Sequence, residues 1–181
     1  NGQALVTLGR QQCFVDRQGV TLRCFTRLRP FEDPQKRLWG YENERGVEII
    51  APQYDSAWAF SPEGIARTKT QGSFRFIRAD GTALTRLTYA GARDFRNGWA
   101  AVQRKGKWGF IDRAGRESIA LEFDAAGDFS TGGTAAVRVG TRSFSIDAKG
   151  RCVGGDCPLV RYRGSAIREG TPGTGVAGVL V

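Results

Sequence analysis

The 181-residue sequence contains no histidine and no methionine. Without His there is no Ser-His-Asp or Cys-His nucleophile system, no HExxH zinc site and none of the usual acid/base groups near neutral pH. An enzyme is therefore not expected. Without Met there is no initiator, as expected of a chain trimmed after synthesis or excised from a longer one, and a removed signal peptide is one explanation. No run of about 18 apolar residues exists, so no membrane-spanning helix is expected. The GxxxxGK[ST] phosphate loop, the strand–GxGxxG–helix unit and the D-x-D-x-D-G calcium spacing are all missing. The run from Gly170 to Gly175 is only part of a Gly-rich tail. Neither a cofactor nor a metal site is expected.

Cysteine is sparse but arranged. Cys13, Cys24, Cys152 and Cys157 form two local pairs spaced C-x10-C and C-x4-C, and the first spacing is too long for a four-thiolate zinc site. Disulfides are the better reading. Three connectivities remain open, including an end-to-end bridge. Each implies an oxidising compartment, so a periplasmic or secreted location is expected.

What the sequence does have is self-similarity. Gly46, Gly81, Gly115 and Gly150 recur at intervals of 34 or 35, each ending a related frame: LWGYENERG, SFRFIRADG, KWGFIDRAG and RSFSIDAKG. Aromatics follow in step at Tyr54, Tyr89 and Phe123, then Phe60, Phe95 and Phe129, then a Gly and an apolar stretch such as Gly98-Trp99-Ala100-Ala101-Val102. A fixed period of this length marks a tandem-repeat architecture. QCFVDRQG, ending at Gly19, is a degenerate earlier copy. Alternation in Lys107–Asp112 and in Ala100–Gln103 reads as strands, and Val47–Ile50 reads as a strand stopped by Pro52. No segment carries a capped stripe of 3.6-residue period. The expectation is an all-β chain: a tandem repeat of about 35-residue three-stranded meanders in an open solenoid-like array, with a partial propeller as the alternative.

The frames KWGFIDRAG…LEFDAAGDFSTGGTAAV and LWGYENERG…IIAPQYDSAWAFSPEGIA resemble the bacterial WG-repeat family. The resemblance covers residues 38–150 and departs from the pattern at Phe74-Arg75 and at Ser143. It implies a β-rich binding scaffold and brings no catalytic residues. The chain then divides into a disulfide-bearing N-terminal cap with the degenerate repeat (1–37), the WG-like repeats (38–150) and a C-terminal cap with the Gly-rich tail (151–181), the tail being expected to be flexible from Arg168.

Candidate functional residues are those that the period does not explain. Asp55 and Asp124 occupy equivalent slots and need no acid/base role. Trp39, Phe74, Trp108, Tyr54, Tyr89 and Phe123 recur and belong to the core. Trp99 also fills a repeat slot, matched by Ile65 and Thr134. Trp58 is different, because its counterparts are Arg93 and Gly127, and a Trp used once in a connection is a candidate anchor. The net charge is +9, spread along the chain, and 22 of the 27 basic residues are Arg. Arg suits carboxylate partners, and no basic stripe of the kind nucleic acid needs is present. The expected function is an extracytoplasmic repeat scaffold that binds another protein with an acidic surface, with an inhibitor or immunity partner of a secreted toxin or enzyme as a sub-case. The alternative is an envelope module binding acidic polysaccharide or peptidoglycan through Trp58, Arg93 and Arg96.

Overall fold

A computed structural model of the protein describes residues 4–8, 11–26, 28–153 and 157. Among them the chain is all-β, and no helix is long and apolar enough to cross a membrane. Strands β1 (Ala4–Leu8), β2 (Gln11–Val15) and β3 (Thr21–Thr26) form one antiparallel sheet; β4 (Arg29–Asp33), β5 (Leu38–Glu42) and β6 (Glu48–Tyr54) form the second. The third is β7 (Ser56–Ala57), β8 (Ile65–Thr70) and β9 (Ser73–Arg78). The fourth is β10 (Gly91–Ala92), β11 (Trp99–Arg104), β12 (Lys107–Asp112) and β13 (Glu117–Phe123), and the fifth is β14 (Ala125–Phe129), β15 (Thr134–Val139) and β16 (Arg142–Asp147). Every sheet runs in chain order, as a meander. No strand pairing joins one sheet to another among the described residues.

The expected strands are present but grouped differently from the sequence unit. β11 closes one repeat, yet it hydrogen-bonds along its whole length to β12, which opens the next. Each sheet is thus built from the end of one repeat and the start of another. β4 likewise shares a sheet with β5 and β6, across the division drawn at residue 37. Pro52 does not stop its strand: β6 continues through it to Tyr54. It can do so because β6 is an edge strand, where a missing N–H breaks no ladder.

Three apolar layers hold the sheets face to face. Leu28, Tyr41, Ile50 and Tyr54 meet Ala66 and Ile77 between the second and third sheets. Phe76, Leu84 and Tyr89 meet Phe95, Val102 and Ile111 in the next layer; Phe110, Ile119 and Phe123 meet Phe129, Val137 and Ile146 in the last. One aromatic contact recurs in each layer: Tyr41–Phe60 at 4.8 Å, Phe76–Phe95 at 5.3 Å and Phe110–Phe129 at 4.9 Å. Sheets with a neighbour on both sides bury both faces, so Ala100, Ala101 and Val102 are all buried in succession. Recurring Tyr54, Tyr89 and Phe123 are buried, and Trp39, Phe74, Trp99 and Trp108 pack against these layers partly covered.

The period is set by the turn glycines. Gly46, Gly81, Gly115 and Gly150 all have φ between 74° and 81°, which only Gly adopts without strain. Three of them also nest on the preceding unit: Gly81 against Ile50, Gly115 against Leu84 and Gly150 against Ile119. An Asx residue three places earlier fastens the turn. Asn43, Asp112 and Asp147 each accept the N–H groups two and four residues on, at 2.8–3.0 Å, as Asp16 does in the N-terminal copy. Burial alone would raise the Asp112 and Asp147 carboxyls, but these N–H donors together with Arg116 and Arg151 outweigh it and hold both below the usual range.

A second kind of glycine explains why one unit is irregular. Gly40 and Gly109 follow the Trp, and a Cβ on Gly109 would stand 2.6 Å from the carbonyl oxygens of Ile119 and Ala120. The Gly is needed for space, so that β13 can cross close over β12. In the third sheet this slot holds Arg75. There the outer segment pairs with β9 as the isolated Ile77–Ala83 and Phe74–Tyr89 bridges and forms no strand.

Cys13, Cys152 and Cys157 are disulfide-bonded. Cys152 pairs with Cys157, with Cα atoms 6.0 Å apart, so the bridge is local and the two ends of the array are not joined through it. Cys13 is also a disulfide cysteine, and its backbone partner across β2 and β3 is Cys24. The expected flexible tail from Arg168 lies outside the described residues.

Candidate functional site

Each repeat places a short connection between its buried aromatic and the next strand, and these connections touch from one repeat to the next. Trp58 sits in the connection between β7 and β8. Its N–H donates to the Arg67 carbonyl at 3.1 Å, and its own carbonyl accepts from the Tyr41 hydroxyl at 2.8 Å. Tyr41 is fully buried, and burial first, then the neighbouring Tyr54, push its pKa well above the ordinary tyrosine range. The phenol therefore stays protonated and remains a donor. It ties the Trp58 backbone to the core.

The indole is half-buried. The Arg67 guanidinium stacks on it 3.9 Å from the ring centroid, and Phe74 packs beside it at 5.8 Å. Such a cation–π contact contributes about 0.5–2 kcal/mol. It also limits the freedom of the Trp58 ring before any partner arrives. Arg67 in turn reaches the next repeat. Its Nη1 donates to the Ala92 carbonyl, and its Nε lies 3.0 Å from Asp94 Oδ1 as a charge contact without hydrogen-bond alignment.

The same inter-repeat step recurs one unit on. Arg93 Nη1 lies 3.8 Å from Asp128 Oδ1 and Arg96 Nε lies 3.2 Å from Asp128 Oδ2, with the two Arg side chains 51% and 65% exposed. Two guanidinium groups therefore share one carboxylate, leaving an uncompensated positive charge at the surface. Behind this row the loops latch to one another. Gly98 N–H donates to Glu63 at 2.9 Å, and the Asn97 amide donates to the Phe129 carbonyl at 2.7 Å.

The three residues singled out from the sequence thus fall on one chain of contacts: Trp58, Arg67, Asp94 with its neighbour Arg93, Asp128 and Arg96. Sequence reasoning missed Arg67, Asp94 and Asp128. The two aspartates had a signal, since both precede a recurring Phe at equivalent places, Asp94-Phe95 and Asp128-Phe129. Arg67 stands where other repeats carry Ala101 and Ala136, a departure as singular as that of Trp58.

The model of a family described as WG containing repeat matches residues 39–72, 74–108 and 108–140, more than half of the chain. The protein belongs to the WG-repeat family. Its WG pair is structural: Trp39 and Trp108 pack against apolar layers, and Gly40 and Gly109 permit the close strand crossing. Comparison with curated proteins found no match. Among solved structures, the chain is similar to "KlHsv2 with loop 6CD replaced by a Gly-Ser linker", with a TM-score of 0.50 at 7% identity over 83% of this chain. It spans 61% of that structure's length, and at this identity the likeness concerns the fold alone. It also matches a protein of unknown function from Bacteroides caccae, with a TM-score of 0.31 at 12% identity, over 84% of this chain and 72% of that one.

Proposed function

We propose that this WG-repeat array is a non-enzymatic, extracytoplasmic docking scaffold whose row of Trp58, Arg67, Arg93 and Arg96 receives an acidic surface of another protein. The observation that carries the reading is the pair Arg93 and Arg96 on the single carboxylate of Asp128, next in the chain of contacts to a braced, half-buried Trp58. Trp and Arg are the residues most often found at the energetic centre of protein interfaces. Trp58 is held by the Tyr41 hydrogen bond and the Arg67 stack, so little of its ordering entropy remains to be lost on docking. The disulfide state of Cys13 and of Cys152–Cys157 supports an oxidising compartment. An inhibitor or immunity partner of a secreted toxin or enzyme is the sub-case most in keeping with a rigid surface that does no chemistry.

The test is capture of a stoichiometric partner from the native envelope or secretome, followed by the double variant Arg93→Glu/Arg96→Glu. Exposed ion pairs of this kind contribute only about 0–1 kcal/mol to folding, so the double variant should stay folded. Binding should weaken by about tenfold or more, chiefly through a slower, salt-sensitive association. A stable partner whose affinity is indifferent to this variant and to Trp58→Ala would overturn the assignment of the face.

A further inference from the structure

The layer between the second and third sheets is open at its outer end. At its outer end lies a pocket of about 410 Å3, bounded by β6, β8, β9 and the irregular segment 81–88. Three substitutions relative to the next repeat account for it. Thr70 and Ser73 stand where that repeat has Arg104 and Lys107, long side chains engaged there with Glu117 and Asp124. Arg75 stands where it has Gly109, whose missing Cβ lets the outer strand close down. Short residues at the wall and a splayed outer segment leave space in this layer.

A fourth substitution puts a polar group in the wall. Thr68 occupies the slot of the core residues Val102 and Val137, is fully buried and lines the pocket. It is the one buried polar residue among those described, and its hydroxyl has no hydrogen-bond partner. A valine of the same shape would fill the slot without leaving a buried polar group unsatisfied. Across the β8–β9 ladder Thr68 is paired with Arg75, so both side chains lie on the pocket face. Arg75 is exposed and has no ion-pair partner among the described residues.

We propose that this pocket binds a sugar acid, a hydroxyl-rich ring bearing one carboxylate, with Arg75 on the carboxylate and Thr68 on a ring hydroxyl. The lining matches that chemistry. Thr68, Thr70, Ser73 and Thr88 both donate and accept, as do the Gln53 and Gln71 amides, which is what a polyol requires. No Asp or Glu lines the space, and the single guanidinium suits one carboxylate bidentately. A polyphosphate would call for more cations or a nest of backbone N–H groups. Tyr54 and Ile77 supply an apolar wall for the C–H face of a ring. The volume lies within the range of roughly 300–1,000 Å3 typical of small-molecule sites. This site shares no residue with the Trp58–Arg96 row and stands or falls independently of it.

The experiment is titration of the full chain with glucuronate, galacturonate, a short oligogalacturonide, glucose and acetate, read by calorimetry and by amide chemical shifts. Saturable binding of a uronate is expected, with perturbed amides in 68–75 and 81–88 and weaker or no binding of glucose and acetate. The oligogalacturonide arm decides whether the free acid or the end of an acidic glycan is preferred, and either result supports the site. Arg75→Gln should weaken binding about tenfold to a hundredfold, and Thr68→Val about three- to tenfold. Thr68→Val should also raise the unfolding temperature of the unliganded protein, which separates lost binding from lost folding. No saturable uronate binding at millimolar concentration, equal binding of acetate, or affinity unchanged in both variants would each overturn the proposal.

Discussion

Replacing Gly109 by Ala adds one methyl group, and its cost follows from geometry. The new Cβ would stand 2.6 Å from the Ile119 and Ala120 carbonyl oxygens and 2.7 Å from the Ala120 carbonyl carbon, all backbone of β13. An ordinary contact begins near 3.4 Å, so β13 must retreat by about 0.8 Å. That strand carries Ile119 and Phe123 into the last apolar layer, so the retreat loosens packing as well as the ladder. Overpacking of this kind costs about 1–3 kcal/mol, and weakening one ladder hydrogen bond adds about 1 kcal/mol. A loss of about 3 kcal/mol is expected. For a chain of this size it corresponds to a melting temperature lowered by about 6–12 °C. Thermal and urea unfolding measure the total, and amide exchange locates it. Protection should fall first in 117–123, leaving β13 as loosely held as the segment beside Arg75. A Gly109→Ala protein within about 0.5 kcal/mol of the parent, with unchanged exchange in β13, would refute the close-approach account of the WG glycine. Gly40→Ala should behave alike, since its Cβ would meet the Ile50 carbonyl oxygen at 2.5 Å.

Tyr41→Phe removes the donor to the Trp58 carbonyl and should cost about 1 kcal/mol, measured by urea unfolding, with a change in Trp fluorescence as the connection loosens. The depressed carboxyls of Asp112, Asp147 and Asp124 predict acid sensitivity. The unfolded chain binds more protons between the folded and unfolded pKa values. Stability is therefore fully present above the ordinary Asp value of 3.8 and is lost as pH falls below it. Unfolding temperatures that stay level between pH 7 and about pH 5 and decline below about pH 4 would bear this out. Reducing the Cys152–Cys157 bridge, which closes a short loop, should cost about 2 kcal/mol or less, and a larger loss would mean that the bridge does more than constrain its own loop.

The periodic part of the fold was legible because one physical requirement produced each signal. A positive φ demands Gly at each turn, and a shared apolar layer demands an aromatic at each equivalent position. The grouping of strands was harder to read. Repetition shows that β11 and β12 recur, but not that the end of one repeat pairs with the start of the next. Pro52 misled because strand position, edge or interior, decides whether its missing N–H matters. At the candidate site, Trp58 stood out by breaking the period, and Arg93 and Arg96 as guanidinium groups suited to an acidic ligand. Their partner Asp128 kept the period and passed as scaffold. Arg67 broke it too, but its consequence is a contact with Asp94, twenty-seven residues away, which no local pattern reports. The Asx residues at Asn43, Asp112 and Asp147 were visible beside the turn glycines, and their capping role needed only the two-and-four spacing of their N–H partners.

The docking face carries the proposed function. The direct test is the affinity of a natively co-purified partner for the parent protein, for Trp58→Ala and for Arg93→Glu/Arg96→Glu, measured at low and moderate salt. The docking account predicts a one-to-one complex weakened at least about tenfold by each variant, with the charge-reversal effect shrinking as salt rises. Equal affinities across the three proteins, with each still folded, would contradict it.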